Sequence, residues 1–218
     1  MDFDIKERII KGAEAIFARE GTSRVTMEDL AEYLKISKKT IYNHFSSKSA
    51  LVYRVVSNLM KDIVQSLEEI AGDPALDFTS RLKAILEYSF TQVSRNGAII
   101  MDNYSGMDLQ ETDSPFETMR RKILELSSRL FQEGIEKGMI RDDLAKDFVP
   151  YFYLNVIEGC VNIYREADIS IRKEELFREA LRITFEGILS DNGRSHFRKG
   201  SLFSEETEAP GFRDLSLR

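Results

Sequence analysis

The sequence predicts an all-α protein. Apolar residues recur at helical spacing along most of the 218-residue chain, and no stretch shows the sustained alternation of apolar and polar residues that marks a half-buried strand. Strong helix-start signals occur between these periodic segments. In Ser114-Pro115-Phe116-Glu117, for example, an N-cap residue, a proline in the first turn and a following glutamate coincide. Hydrophobic residues make up 42% of the chain, which is enough to form a globular core.

Residues 1–46 predict a small N-terminal domain of three helices. The first helix carries an apolar face from Ile9 to Phe17 and ends at Gly21. Thr26 is placed to cap the second helix and Ser37 to cap the third. These two short helices are joined by a turn of the length that sets helices at a steep angle in a helix-turn-helix. We therefore predict a helix-turn-helix DNA-binding domain at residues 1–46.

Residues 47–190 predict a second domain of longer helices. The helical patterns lie at about 47–72, 82–96, 98–107, 114–137, 147–166 and 171–189. We favour Asp147 over Asp143 as the start of the fifth of these, because proline is tolerated in the first turn and Pro150 would then lie there. Residues 191–218 show no helical stripe and are expected to form an irregular C-terminal tail.

The charge distribution points to one basic surface on an acidic protein. The chain has 31 basic and 37 acidic residues, a net charge of −6. Six of the basic residues and none of the acidic ones fall between Tyr33 and Lys61, so the remainder has 25 basic against 37 acidic residues. Such a run can be a solvated helix face, but its position over the two short capped helices favours a polyanion as the partner. We expect double-stranded DNA.

The third helix is the predicted recognition helix. In a helix-turn-helix the N-terminal residues of the second helix of the pair enter the major groove, with the positive end of the helix dipole toward the phosphates. The next helix begins near Lys48 and offers backbone N–H groups to another phosphate. The predicted DNA contacts are Thr26, Lys35, Ser37, Lys38, Lys39, Thr40, Tyr42, Asn43, His44 and Lys48.

The segment from Ile9 to Leu51 resembles the TetR family of bacterial transcriptional regulators. The elements "TMEDLAEYL", "ISKKTIYNHF" and "SKSAL" occur in order at the family spacing, and "GIEKGMIRDDL" at 134–144 resembles the junction between the family's seventh and eighth helices. One departure is Lys35, which stands where the family usually has glycine in the helix-turn-helix turn. If that position is left-handed, lysine strains it by about 1 kcal/mol.

The resemblance implies a homodimer with a small-molecule effector site. It implies binding to a palindromic operator and dimerisation through the last two helices. Phe177, Leu181, Thr184 and Ile188 could form the seam of that dimer, but a buried core of the monomer would show the same pattern. The pocket would lie among the middle helices, and we expect a largely apolar effector because no arginine or lysine stands at an obvious inward position. The candidate lining residues are Phe90, Met101, Tyr104, Met107, Phe116, Met119, Phe152 and Asn155. Core packing explains most of these residues equally well.

Other classes of function are less well supported. The chain has two histidines and no nucleophile–base motif, so we predict that it is not an enzyme and has no catalytic residues, metal or cofactor. The alternatives are a small helical enzyme and a helical adaptor with a basic interaction face. One cysteine, Cys160, excludes an internal disulfide. No run of apolar residues is long enough to span a membrane, and we expect a cytoplasmic location.

Overall fold

A computed structural model describes residues 2–104, 114–166 and 171–198. Within these ranges the secondary structure is helical, which confirms the all-α prediction. The described residues form nine helices, which are α1 (Asp2–Glu20), α2 (Met27–Leu34), α3 (Lys38–His44), α4 (Lys48–Gly72), α5 (Phe78–Tyr104), α6 (Pro115–Glu136), α7 (Phe148–Glu166), α8 (Lys173–Ile188) and α9 (Asp191–Arg198).

Helices α1 to α3 form the small N-terminal unit, which we call the head. Its core is made by apolar side chains that the three helices turn toward one another, with Ile9, Leu30 and Ile41 almost completely buried. Gly21 follows α1 with φ 87°, a left-handed conformation that glycine adopts at little cost. The chain can therefore turn sharply from α1 into α2.

The remaining helices form the second unit, on which the head rests. Helix α4 packs against α5 and α6, α7 packs against α6 and α8, and α8 also contacts α5. Helix α1 reaches both α4 and α5, which ties the head to this unit. An antiparallel bridge between Ile140 and Leu189 holds the α6–α7 connection against the end of α8. None of the described helices is both long and apolar enough to cross a membrane.

Several predicted boundaries are confirmed. Helix α4 begins at Lys48 as predicted, and Ser47 caps it by accepting a hydrogen bond from the Ala50 N–H. Helix α6 has Pro115 in its first turn as predicted. Helix α7 begins at Phe148, so Pro150 lies in its first turn, where its missing N–H costs no helical hydrogen bond.

The predicted break at Asn96-Gly97 is wrong, because α5 continues through it to Tyr104. Asn96 is buried, and its side-chain amide donates to Gln92 Oε1 one turn earlier (2.8 Å) instead of capping a helix end. Ile99, completely buried, continues the apolar face beyond the glycine. Packing of this face outweighs the loss of about 1 kcal/mol that a glycine costs inside a helix.

The prediction of an irregular tail is wrong for residues 191–198, which form α9. The Ser190 hydroxyl accepts from the Gly193 N–H (3.0 Å), so the polar segment "SDNG" starts a helix as well as ending one. A Cβ on Gly193 would lie 2.0 Å from the Met139 carbonyl oxygen, so only glycine allows this approach. Phe197 then stacks on Phe185 at 5.7 Å between ring centroids. Residues 199–218 lie outside the described residues.

Candidate nucleic-acid interface and internal cavity

The recognition helix is fixed at its start by local hydrogen bonds. Ser37 caps α3, because its hydroxyl accepts from the Thr40 N–H at 3.0 Å. Helix α2 begins with a reciprocal capping box in which Thr26 accepts from the Asp29 N–H (3.1 Å) and Asp29 accepts from the Thr26 N–H (2.8 Å). Helices as short as α2 and α3 gain little stability from helix propensity alone, so these caps contribute much of what fixes their N-terminal ends.

Lys35 adopts the left-handed conformation, with φ 53° and ψ 46°. It ends α2, and the following Ile36 N–H donates to the Ala31 carbonyl oxygen at 3.0 Å, the hydrogen-bond pattern of a helix C-terminus that usually has glycine at this position. A lysine here costs about 1–2 kcal/mol relative to an unstrained residue. Its side chain is exposed at the turn between α2 and α3, so the strained residue presents an ammonium group at the helix-turn-helix.

Most of the predicted DNA contacts are exposed. On α3 the exposed side chains are Lys38, Lys39, Tyr42 and Asn43, whose spacing puts them on one side of the helix. Ile41 is completely buried and anchors the other side in the head. The side chains of Thr26, Lys35 and Ser37 are also exposed, and those of Thr40, His44 and Lys48 are partly buried.

Two of these lysines have partners within the chain. Lys38 forms an ion pair with Glu28 of α2, and the hydrogen bond from its ammonium lowers the pKa of Glu28. Lys48 donates to the Ser23 carbonyl oxygen at 3.3 Å. Neither contact has a local sequence signal, because both link a side chain to a residue of a different element. Lys38 is therefore partly neutralised in the DNA-free protein.

The head is joined to α5 by a polar cluster, which we call the junction. Asp102 accepts hydrogen bonds from the Ser23 N–H (2.9 Å), the Ser23 hydroxyl (2.9 Å) and the Thr22 hydroxyl (3.3 Å). Asn103 donates to the Thr22 hydroxyl at 3.0 Å. Burial alone would raise the pKa of Asp102, but the hydrogen bonds outweigh it and hold that pKa below its ordinary value. At neutral pH the junction therefore contains a carboxylate.

Glycine is required beside the junction. A Cβ on Gly21 would lie 2.7 Å from the Asp102 carboxylate oxygen, and the residue already has a positive φ. The turn between α1 and α2 therefore approaches α5 closely. Sequence analysis identified Gly21 as a helix end but missed Asp102, since an aspartate in the middle of a helical pattern carries no local signal for a partner about 80 residues away.

A cavity of about 110 Å³ lies among α4, α5, α6, α7 and α8. Four of the predicted pocket residues, Met101, Tyr104, Phe116 and Met119, line it. Its walls are Ile63, Leu67, Ser89, Gln92, Val93, Ile100, Met101, Tyr104, Phe116, Met119, Arg120, Ile123, Leu154, Ile157, Glu158, Cys160, Val161, Leu176 and Phe177. Burial raises the pKa of the Cys160 thiol to about 11, so this cysteine is a neutral part of the wall.

Three of the predicted pocket residues do not line this cavity. The Arg178 guanidinium lies over the ring of Phe90, with 5.3 Å between the guanidinium carbon and the ring centroid. Phe152 is 41% exposed. Asn155 is exposed and donates to the Tyr151 carbonyl oxygen (2.8 Å). The period of α7 explains the error, because the face that lines the cavity lies at 154, 157, 158 and 161. Met107 lies outside the described residues.

The cavity contains an ion pair, contrary to the prediction that no arginine or lysine points inward. Arg120 Nε donates to Glu158 Oε1 at 2.9 Å. Tyr104, in the same cavity wall, interacts with this carboxylate. Burial and the negative charge of Glu158 raise the pKa of this tyrosine, so its phenol is protonated. Arg120 follows Phe116 by four residues in α6 and therefore shares its face, a spacing from which the inward position could have been predicted.

The outer surface of α7 and α8 carries exposed apolar side chains. The most exposed are Phe148, Tyr151, Phe152 and Ile163 on α7 and Ile183 on α8, at 41% to 66% exposure. The seam residues suggested from the sequence are instead part of the chain's own core. These are Phe177, Leu181, Thr184 and Ile188, each at most 5% exposed.

The comparisons with known proteins agree with this architecture. Residues 9–55 match the family model described as bacterial regulatory proteins, tetR family. The chain is 30% identical over 147 residues to the uncharacterised HTH-type transcriptional regulator YhgD of Bacillus subtilis, a match that covers 65% of this chain and 74% of YhgD. It is 24% identical over 189 residues to the HTH-type transcriptional repressor DhaR of Mycobacterium sp. strain GP1, covering 85% and 92% of the two chains.

Solved structures show the same fold. The ketosteroid transcriptional regulator KstR2 of Mycobacterium tuberculosis superposes with a TM-score of 0.62 at 23% identity, over 85% of this chain and 95% of that one. The N-terminal match covers the segment that carries the helix-turn-helix, and the structural match covers both units. The chain therefore belongs to the TetR family of bacterial transcriptional regulators.

Proposed function

We propose that this regulator is a repressor that binds a palindromic operator as a homodimer and is released by a small molecule in the cavity. TetR-family regulators bind DNA and small-molecule effectors, usually as dimers. The observation that carries the proposal lies in α5. Met101 and Tyr104 line the cavity, and Asp102 and Asn103 between them hold the head. A ligand that displaces this turn of α5 would move the head as well.

The DNA-binding part of the proposal rests on the head, residues 1–46. Exposed Lys39 and partly buried Thr40 stand at the N-terminal end of α3, where base contacts are expected. Lys35 and Lys48 lie on either side of that helix in the chain and would contact phosphates. Lys38 would exchange Glu28 for a phosphate on binding. Residues 47–190 would provide the regulatory and dimerisation domain.

The dimer would form through the outer faces of α7 and α8. Exposed aromatic and aliphatic side chains are concentrated there, and apolar surface of this kind favours a partner. Gly159 and Gly187 have open space where a Cβ would stand, which allows two helices to approach closely. The substitution Ile183→Glu should therefore give monomers in light scattering. The matched change Arg182→Glu, at a neighbouring exposed position, should leave more dimer than Ile183→Glu does.

Repression is supported by the names of two relatives and by the geometry of α5. DhaR is named a repressor, and so is KstR2 of Rhodococcus jostii, which is 23% identical over 181 residues. A ligand shifts the population only by its difference in affinity between the two states of the protein. If it fits the cavity best when α5 has moved away from its DNA-competent position, it releases the operator.

DNA selection tests the proposal. Random duplexes bound by the purified protein should converge on a palindrome whose half-sites are about one helical turn apart, with binding that weakens steeply as salt rises. Lys39→Gln should change the consensus, whereas Lys122→Gln on α6 should not. Failure to bind any duplex at low salt would overturn the proposal.

A further inference from the structure

The cavity has a second chamber. A smaller space of about 40 Å³ lies beside it and shares four walls with it, Leu67, Ser89, Ile123 and Ile157. The far side of this second chamber is closed by the rings of Phe131, Tyr153 and Phe185. Because these four residues border both spaces, the two chambers adjoin each other. An elongated molecule could occupy both.

The charged groups of the combined space are concentrated at one end, and the smaller chamber has only the hydroxyl groups of Ser127, which donates to the Leu124 carbonyl oxygen (3.1 Å), and of Tyr153 beyond the shared wall. Tyr104, Arg120 and Glu158 border the larger chamber and do not reach the smaller one. Ser89, between the chambers, donates to the Ile85 carbonyl oxygen of its own helix (2.8 Å), and Gln92 accepts from Asn96 (2.8 Å). Most of the remaining walls are carbon or sulfur. A ligand that fills this space therefore has one polar end and an apolar body.

The polar end has opposite charges that already neutralise each other. Arg120 and Glu158 are in contact, and both side chains are mostly buried, at 32% and 18% exposure. A ligand carboxylate would have to take Arg120 from Glu158 and leave that carboxylate buried without its partner, and a ligand ammonium would do the reverse to Arg120. Leaving one partner of a buried pair uncompensated is costly. The site therefore disfavours both anions and cations.

The same pair retains hydrogen-bonding capacity for a neutral group. A guanidinium has five N–H donors and a carboxylate accepts at several lone-pair positions, so the contact between Arg120 and Glu158 leaves donors and acceptors side by side. A hydroxyl group both donates and accepts, and can bridge the two. We propose that the effector is a neutral hydroxyl compound on an apolar body, such as a substituted phenol or a medium-chain alcohol. This rests on the proposed function of the cavity as the effector site.

The volume limits the size of the ligand. A cavity of about 150 Å³ with apolar walls holds a benzene ring in another protein. The two chambers, at about 110 and 40 Å³, are of that order. The body is therefore a single ring with a short alkyl group, or an aliphatic chain of similar volume.

Calorimetric titration of the purified protein with matched probes tests the proposal. The probes are para-propylphenol, propylbenzene, para-propylbenzoate and para-propylbenzylamine at neutral pH, with octanol as an aliphatic hydroxyl compound. The phenol or the alcohol should bind at least about tenfold more tightly than the charged probes, because these must bury a charge against a closed ion pair. Equal or tighter binding of the benzoate or the amine would overturn the proposal, and so would equal binding of propylbenzene or no binding by any probe.

Two variants locate the selectivity. Glu158→Gln leaves Arg120 without its carboxylate, so the benzoate should gain at least about tenfold relative to the phenol. Arg120→Gln should make the reverse change and favour the amine, which keeps the test decisive if the first variant does not fold. Glu125→Gln is the matched control, because it removes an exposed ion pair with Lys122 on the same helix as Arg120 and should leave the ranking unchanged. Unaltered ranking in both cavity variants would overturn the proposal.

Measuring the affinity for the operator with each probe bound distinguishes a failure of this inference from a failure of the proposed function on which it rests. If a charged probe binds and releases the operator, the regulatory function holds and the neutral class is wrong. If the phenol binds in the cavity and leaves DNA affinity unchanged, the ligand class holds and the regulatory function is wrong.

Discussion

Replacing Asp102 with alanine should loosen the head while leaving the second unit intact. The change removes the acceptor of three hydrogen bonds from Thr22 and Ser23. Hydrogen bonds to a charged group contribute about 1.5–3 kcal/mol each when buried. Here Ser23 and Asp102 are exposed and water can replace much of the interaction, so we expect about 1–2 kcal/mol in total, a factor of about 5–30 in the population of the opened head.

Hydrogen exchange measures this population directly. At neutral pH the amides of α2 should exchange about 5–30 times faster in Asp102→Ala than in the wild type, while those of α6 and α8 keep their protection. Because hydrogen bonds hold the pKa of Asp102 below its ordinary value, the difference should persist through mild acid and disappear only as the pH falls through that lowered pKa. Asp142→Ala, an exposed change in the α6–α7 connection, is the control. Equal exchange rates of the α2 amides in the wild type and Asp102→Ala would refute the claim that the junction holds the head against α5.

The other predictions concern the head and its charges. Lys48→Ala should weaken binding to specific and random DNA about equally and lower the salt slope by roughly one ion, as competition titrations at several salt concentrations would show. Lys39→Ala should change base preference at symmetric positions by about 1–3 kcal/mol, and an unchanged consensus from a random library would move recognition elsewhere. Lys35→Gly should relieve about 1–2 kcal/mol of strain and raise the melting temperature while lowering DNA affinity; a lower melting temperature would contradict the strain. Burial and then Asp62 raise the pKa of Glu14, so Glu14→Gln should stabilise the protein at neutral pH, with the gain lost as the pH falls below the ordinary carboxyl range in denaturation measurements.

Local signals in the sequence predicted the parts of the fold that are fixed locally. Ser37 and Thr26 were identified as caps because capping depends on residues three positions apart. Attention fell on Lys35 only because the family usually has glycine at that position, and the structure shows that it is left-handed. Helix α9 was missed for a related reason. Its sequence is polar, and what holds it is the tertiary contact of Phe197 with Phe185, which no local pattern reveals.

The candidate site likewise has a part that local sequence signals predict and a part that depends on tertiary contacts. The exposed face of α3 could be predicted from the motif, whereas the cavity depends on which face of each of the longer helices points inward. Two neighbouring residues of α7 show the difficulty. Phe152 is exposed and Tyr153 is buried, although both fit an apolar stripe. Arg120 was missed because a charged residue is normally placed outside, although its spacing from Phe116 puts it on the inward face of α6, where Glu158 on another helix pairs with it.

The most direct test of the account is the affinity for the selected operator with the cavity empty and filled. Fluorescence anisotropy of labelled DNA would be measured with and without a compound that calorimetry shows to bind in the cavity. We predict that the filled cavity raises the Kd of the wild type at least about tenfold, within the usual range of coupling between two sites, and that Asp102→Ala shows a smaller change. An operator affinity that is the same with the cavity empty and filled would contradict the claim that α5 connects effector and DNA.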